Sequence, residues 1–184
     1  MAKAGYVALL RGINVGGRNI VRMAELRAAF EEAGFAAVRT YIQSGNVLFG
    51  SDRPASALES DIEAMMAKRF DLSVVVVVRS GRGFRQVEDD APDGFGSEQD
   101  TYHSDVIFLK APLTGQQALE VVDPREGVDQ VWPGDGVLYF ARLSERLSQS
   151  RLSRIVGTLH YQNMTIRNWR TTTRLLTLLD KRDQ

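Results

Sequence analysis

Apolar periodicity changes mode in the same order twice along this chain, and that order constrains the fold more than any other feature. Strand-like runs without helical spacing are read at 5–11, 37–43, 46–50 and 73–79. Between them Met23, Leu26, Phe30 and Ala33 share one helical face in 23–34, which Gly34 stops. Leu58, Ile62, Met65 or Met66, and Phe70 do the same in 54–70, which Pro54 opens. The run "SVVVVVR", 73–79, is apolar on both faces and reads as a buried strand, with a short helix to follow over 80–89. After an acidic, Gly- and Pro-bearing stretch the pattern restarts: strands at 105–110, 128–132 and 137–142, helices at 114–123 and 150–160. A turn, "PGDG", is expected at 133–136, an extended piece at 164–166 and a last helix at 168–182.

Both halves therefore spell β-α-β-β-α-β, the split βαβ or ferredoxin-like unit. The expected fold class is α+β: two tandem ferredoxin-like lobes with an extra C-terminal helix. The expected domains are lobe 1 over 1–87, an acidic linker over 88–104, and lobe 2 over 105–184. No residue-level repeat links the halves. Chain direction has a consequence. A crossover helix makes the first two strands parallel, and the third returns beside the first. The end of strand one, "RGINVGGRN", and the turn "QSGN" about 30 residues on should then share one rim.

Composition removes several chemistries. There is no cysteine, hence no disulfide, thiolate zinc site or cysteine nucleophile. Two isolated histidines, His103 and His160, offer no metal-ligand spacing, so no metal and no cofactor is expected. The N-terminus is no signal peptide, because Arg11 interrupts its short apolar run. No apolar stretch approaches the ~20 residues of a membrane helix, so a cytoplasmic protein without a membrane partner is expected. Net charge is zero but unevenly spread: residues 86–136 hold 2 basic and 12 acidic side chains, residues 137–184 hold 9 basic and 3 acidic. Either the two regions solvate or face one another, or the basic tail meets an anionic partner, nucleic acid being the less favoured one.

Three polar stretches could carry chemistry. The first holds Arg11, Gly12, Asn14, Gly16, Gly17 and Arg18. Its glycines let backbone N–H groups approach a ligand, yet its spacing matches neither the dinucleotide nor the Walker fingerprint. The alternative is an irregular connection held by asparagine side chains. The second is Gln43, Ser44 and Asn46, where Ser44 and Gly45 are ordinary turn residues but Asn46 opens a strand that disfavours it. The third is "TIRNWRTTTR", 165–174, where Asn168 caps a helix whose free N–H groups suit an anion; the alternative is a capped helix with Trp169 in the core. No base–nucleophile pair is read, so enzymatic activity is left open.

Taken together, "LLRGINVGG…MAELR", "RTYIQSGNVLF" and "TIRNW" resemble the bacterial domain-of-unknown-function family 1697 over essentially the full chain. The resemblance implies duplicated ferredoxin-like lobes and no established activity. Its characteristic residues correspond to Arg11, Gly12, Asn14, Gly16 and Gly17, to Gln43, Ser44, Gly45 and Asn46, and to Thr165, Arg167, Asn168, Trp169 and Thr172. The family pattern has Pro near Arg22 and Ser-Lys-Leu where this chain has Ser150-Arg151-Leu152. Arginine keeps the charge there but not the geometry.

These readings combine into one expectation: a small anionic ligand, nucleotide- or phosphate-like, at a polar site drawn from the first loop, the first hairpin turn and the start of the last helix. The ligand-binding residues would be Arg11, Asn14, Gly16, Gly17, Arg18, Gln43, Ser44, Asn46, Arg151, Arg167, Asn168 and Thr172. The alternative is a nucleic-acid- or protein-interaction module using the basic C-terminal region, the motif residues being purely structural. Oligomeric state is not read from the sequence.

Overall fold

The first strand of the computed structural model, which describes residues 4–181, is β1, Ala4–Arg11. It lies at the middle of an antiparallel sheet, between β3 (Asn46–Ser51) and β4 (Val75–Ser80), with β2 (Ala36–Tyr41) beyond β3. The order is β2-β3-β1-β4. One face carries Ala8, Leu10, Val47, Phe49, Val76 and Val78. Two helices cover that face, α1 (Met23–Glu32) through Leu26 and Phe30, and α2 (Ala55–Phe70) through Leu58, Ile62 and Met66. Each such side chain contributes about 1.5–3 kcal/mol on leaving water. The opposite face holds Val7, Leu9, Leu48 and Val77, which are buried as well. That is why "VVVVV" alternates so little.

β4 is an edge strand, and α2 closes part of its open side. Glu59 Oε1 accepts the Val78 N–H at 2.9 Å and Glu63 Oε1 accepts the Val76 N–H at 3.0 Å. Two carboxylates one helical turn apart thus satisfy alternate donors of a strand that would otherwise offer them to another chain.

A second sheet has the order β6-β7-β5-β8, again antiparallel throughout. Its strands are β5 (Tyr102–Leu109), β6 (Asp129–Gly134), β7 (Val137–Leu143) and β8 (Met164–Asn168). Helix α3 (Gly81–Asp89) precedes it, α4 (Gly115–Val121) follows β5, and α5 (Trp169–Asp180) ends the described chain. The N-terminus of α4 is fixed by a capping box between Thr114 and Gln117. Ile107, Leu109, Leu138, Phe140 and Met164 pack with Ala118, Val122, Leu152 and Ile155. The protein is thus α+β, with two four-stranded antiparallel sheets. It divides into two compact units, one running up to Arg85 and resuming at Leu175, the other Gln86–Arg174.

Two elements differ from the sequence expectation. The helix expected at 150–160 is absent; 3-10 turns occupy Ser144–Gln149, Leu152–Gly157 and Leu159–Asn163. Side-chain bonds compete with a helix here: Asp129 Oδ2 takes the Arg151 N–H at 2.9 Å, and Ser150 Oγ takes that of Leu152 at 3.2 Å. The turn expected at 133–136 is shorter, since Pro133 pairs with Leu138 inside the hairpin. β6 is an edge strand, where a missing N–H is tolerated. The acidic stretch 88–104 lies in the unit Gln86–Arg174. Its Phe95 ring meets Tyr139 at 5.3 Å and Trp169 at 5.1 Å edge-on.

Candidate functional site

The end of β1 and the β2–β3 turn meet. Leu9 pairs with Asn46, and the next residue, Leu10, donates its N–H to Gly45 O at 2.8 Å. Gly45 is buried with φ +79, and a Cβ there would stand 3.0 Å from Ile13 Cδ1, Leu10 Cβ and Leu10 O. Glycine is required twice over, for the left-handed backbone and for the close approach.

Asn14 ties the loop to the turn. Its Nδ2 donates to Val21 O and to Gln43 O, each at 2.9 Å, and its Oδ1 accepts the Val21 N–H at 2.8 Å. Asn19 closes the loop from inside, Nδ2 donating to Gly12 O at 2.7 Å and its carbonyl accepting from Asn14 N at 3.1 Å. Both asparagines take positive φ, as asparagine does more readily than other non-glycine residues. Asn46 is fully buried; its Nδ2 donates to Tyr41 O at 3.0 Å and to Ser44 Oγ at 2.9 Å. The amides of Asn14 and Asn46 therefore build the rim. Gly16, Gly17, Arg18, Gln43 and Ser44 are exposed on it, and Arg11 is half-buried at the end of β1.

The other expected site residues lie in the second unit. Arg151 reaches Asp123 Oδ2 at 2.8 Å, and Arg154 shares that oxygen at 2.8 Å. Arg167 is buried, with Nη1 donating to Thr165 Oγ1 at 3.0 Å and to Ile166 O at 2.8 Å. Loss of solvation lowers its pKa to about 10. Asn168 caps α5 as expected, Oδ1 accepting the Thr171 N–H at 2.8 Å. Thr172 is buried and its hydroxyl donates to Asn168 O at 3.1 Å. Trp169, expected in the core under the structural alternative, is half-buried.

Sequence reasoning overlooked a polar row on the second sheet. Asp105 is buried, accepts from Arg142 Nη2 at 2.5 Å and stands 3.6 Å from His103 Nε2. Asp129 is buried opposite Arg142 in the register and anchors two backbone N–H groups, Arg125 and Arg151, each at 2.9 Å. The signal was faint: acidic residues at the starts of two strands, where solvent is the ordinary explanation. Among the described residues no group of three or more His, Cys, Asp or Glu could hold a metal ion. No described helix is long and apolar enough to cross a membrane.

The fold and this polar rim define an α+β protein with a glycine-bearing loop keyed to a hairpin turn, and no established chemistry. The family model described as "Protein of unknown function (DUF1697)" matches residues 4–139, and the chain belongs to that family. In three dimensions the chain is similar to a solved structure described as "conserved bacterial protein SP0830 from Streptococcus pneumoniae". The TM-score is 0.84 at 26% identity, covering 97% of this chain and 99% of that one. The comparison with curated proteins produced no match.

Proposed function

We propose that this protein binds a small anionic ligand, phosphate-bearing or nucleotide-like, on the loop–turn rim of the first unit. We also read both units as ferredoxin-like lobes, on the support of their strand orders. One observation carries the binding reading. Asn14 and Gly45 tie the loop to the turn, and Gly16, Gly17 and Arg18 on the loop and Gln43 and Ser44 on the turn are exposed. Positive-φ glycines turn successive N–H groups to one side, a geometry that holds anions. Charge agrees: no acidic residue occurs before Glu25, nor between Glu32 and Asp52, whereas Arg11, Arg18 and Arg22 do occur. Expected contacts are the Gly16 and Gly17 N–H groups, the Arg18 guanidinium and the Ser44 hydroxyl. Asn14 and Asn46 act by holding the rim in shape. In the second unit Arg151, Arg167, Asn168 and Thr172 have internal partners, and of these the start of α5 is the part with room for a ligand.

The proposal is tested by thermal shift with inorganic pyrophosphate and AMP. A ligand at ~100 times its dissociation constant adds roughly 2.7 kcal/mol of stability. Stabilisation that Arg18→Ala removes, with the unliganded melting temperature unchanged, supports the reading. No stabilisation by either ligand contradicts it.

A further inference from the structure

The second unit carries a cleft that the loop–turn rim does not involve. It has a volume of about 270 Å³ and is walled by Gly96, Tyr102, His103, Ser104, Trp169 and Arg170. Ser104 lies on β5 and is more than nine-tenths buried, yet its hydroxyl has no hydrogen-bond partner among the described residues. A buried hydroxyl left unpaired forfeits its bonds to water with nothing in exchange, so such groups are rare in native proteins. Ser104 also borders a neighbouring cleft of about 260 Å³, on which Trp132 and Gln130 open. Ser104 thus borders both spaces with its Oγ shut off from solvent, so a ligand pairs with that oxygen only where the wall gives way.

The walls specify the ligand. Gly96 runs so close to the Trp169 indole that a Cβ on it would stand 1.9 Å from Cδ1. With φ at +75 this position admits only glycine without rearrangement. The contact, together with Phe95 edge-on at 5.1 Å, fixes the indole plane. Tyr102 supplies a second ring at the same cleft. Two rings suit a flat apolar guest. Arg170 and the first turn of α5 favour a negative charge, and the Asn168 cap orients that turn. A single ring fits within a space of about 270 Å³.

We propose that this cleft binds a monocyclic aromatic or heteroaromatic acid, its ring beside Trp169 and Tyr102, its carboxylate toward Arg170 and the start of α5, and a ring or carboxylate heteroatom paired to Ser104 Oγ. The site is independent of the rim in the first unit, and either proposal can fail without the other.

The test uses the full chain with nicotinate and benzoate as probes and nicotinamide and benzamide as their neutral counterparts. Binding is followed by tryptophan fluorescence and by ligand-observed NMR. The expected result is binding of at least one acid below 10 mM, at least fivefold tighter than its amide. Arg170→Ala should remove that preference. Ser104→Ala should weaken the acid at least threefold while leaving the melting temperature equal or higher, because it deletes an unpaired buried hydroxyl; a hydroxyl serving only the fold would lower it. Neither acid binding, or binding that both variants leave unchanged, overturns the proposal.

Discussion

Asn14 shows how an amide expected at a ligand also holds its own loop together. Its place in a glycine loop beside two arginines suggests a ligand contact, but all three of its side-chain bonds are internal. A sequence gives the chemistry of an amide and not its direction, and the direction was set by a turn 29 positions away. Asn46 is the same case with complete burial. Asn14→Ala should cost about 2–3 kcal/mol in urea unfolding, since each bond is worth ~1 kcal/mol and Val21 loses a donor and an acceptor partner together. Gly45→Ala should cost about 2 kcal/mol or more, from the left-handed backbone and the contact with Leu10 O. Wild-type stability in the Gly45→Ala protein would mean that the turn is not held against β1.

At the level of elements, legibility followed hydrogen-bonding range. Strands and helices with a clear apolar period were read within a few residues, because periodicity is a local property. The segment 144–163 was not, because its backbone is held by Asp129 from another strand and by its own serines. The edge protection of β4 was equally hidden. Glu59 sits beside the apolar stripe of α2 and reads as a solvated charge, yet it is buried against Val78 N. Glu59→Ala should destabilise by about 1–3 kcal/mol and raise aggregation during refolding, measured by light scattering. Glu59→Gln keeps the acceptor oxygen and should fall between. Equal stability of all three proteins would show that the carboxylate does nothing for the edge.

For the whole molecule, the α+β class with two four-stranded antiparallel sheets agrees with what the order of elements implied, and the chain divides at Arg85 and Leu175. The acidic stretch 88–104 looks like a linker by composition, and within it the Phe95 ring packs edge-on against Tyr139 of the second sheet. That sheet also holds Tyr139, whose hydroxyl donates to Val87 O at 2.8 Å. Burial first, then the nearby Asp90 charge, raise its pKa from 10.0 to about 12. The sign follows from the folded state holding its proton longer than the unfolded chain. The stability from Tyr139 is complete below pH 10.0 and is lost as pH rises through about 12. In an absorbance titration, subtracting Tyr139→Phe from wild type should leave a phenolate step near pH 12; a step near 10 would place the ring in water.

The rim itself is tested most directly by a two-dimensional amide NMR titration of the full chain with inorganic pyrophosphate. The account predicts concerted saturable shifts at Gly16, Gly17, Arg18 and Ser44, abolished in Asn14→Ala even where that protein remains folded. Shifts scattered over unrelated basic side chains, or none at these four amides at millimolar pyrophosphate, would contradict it.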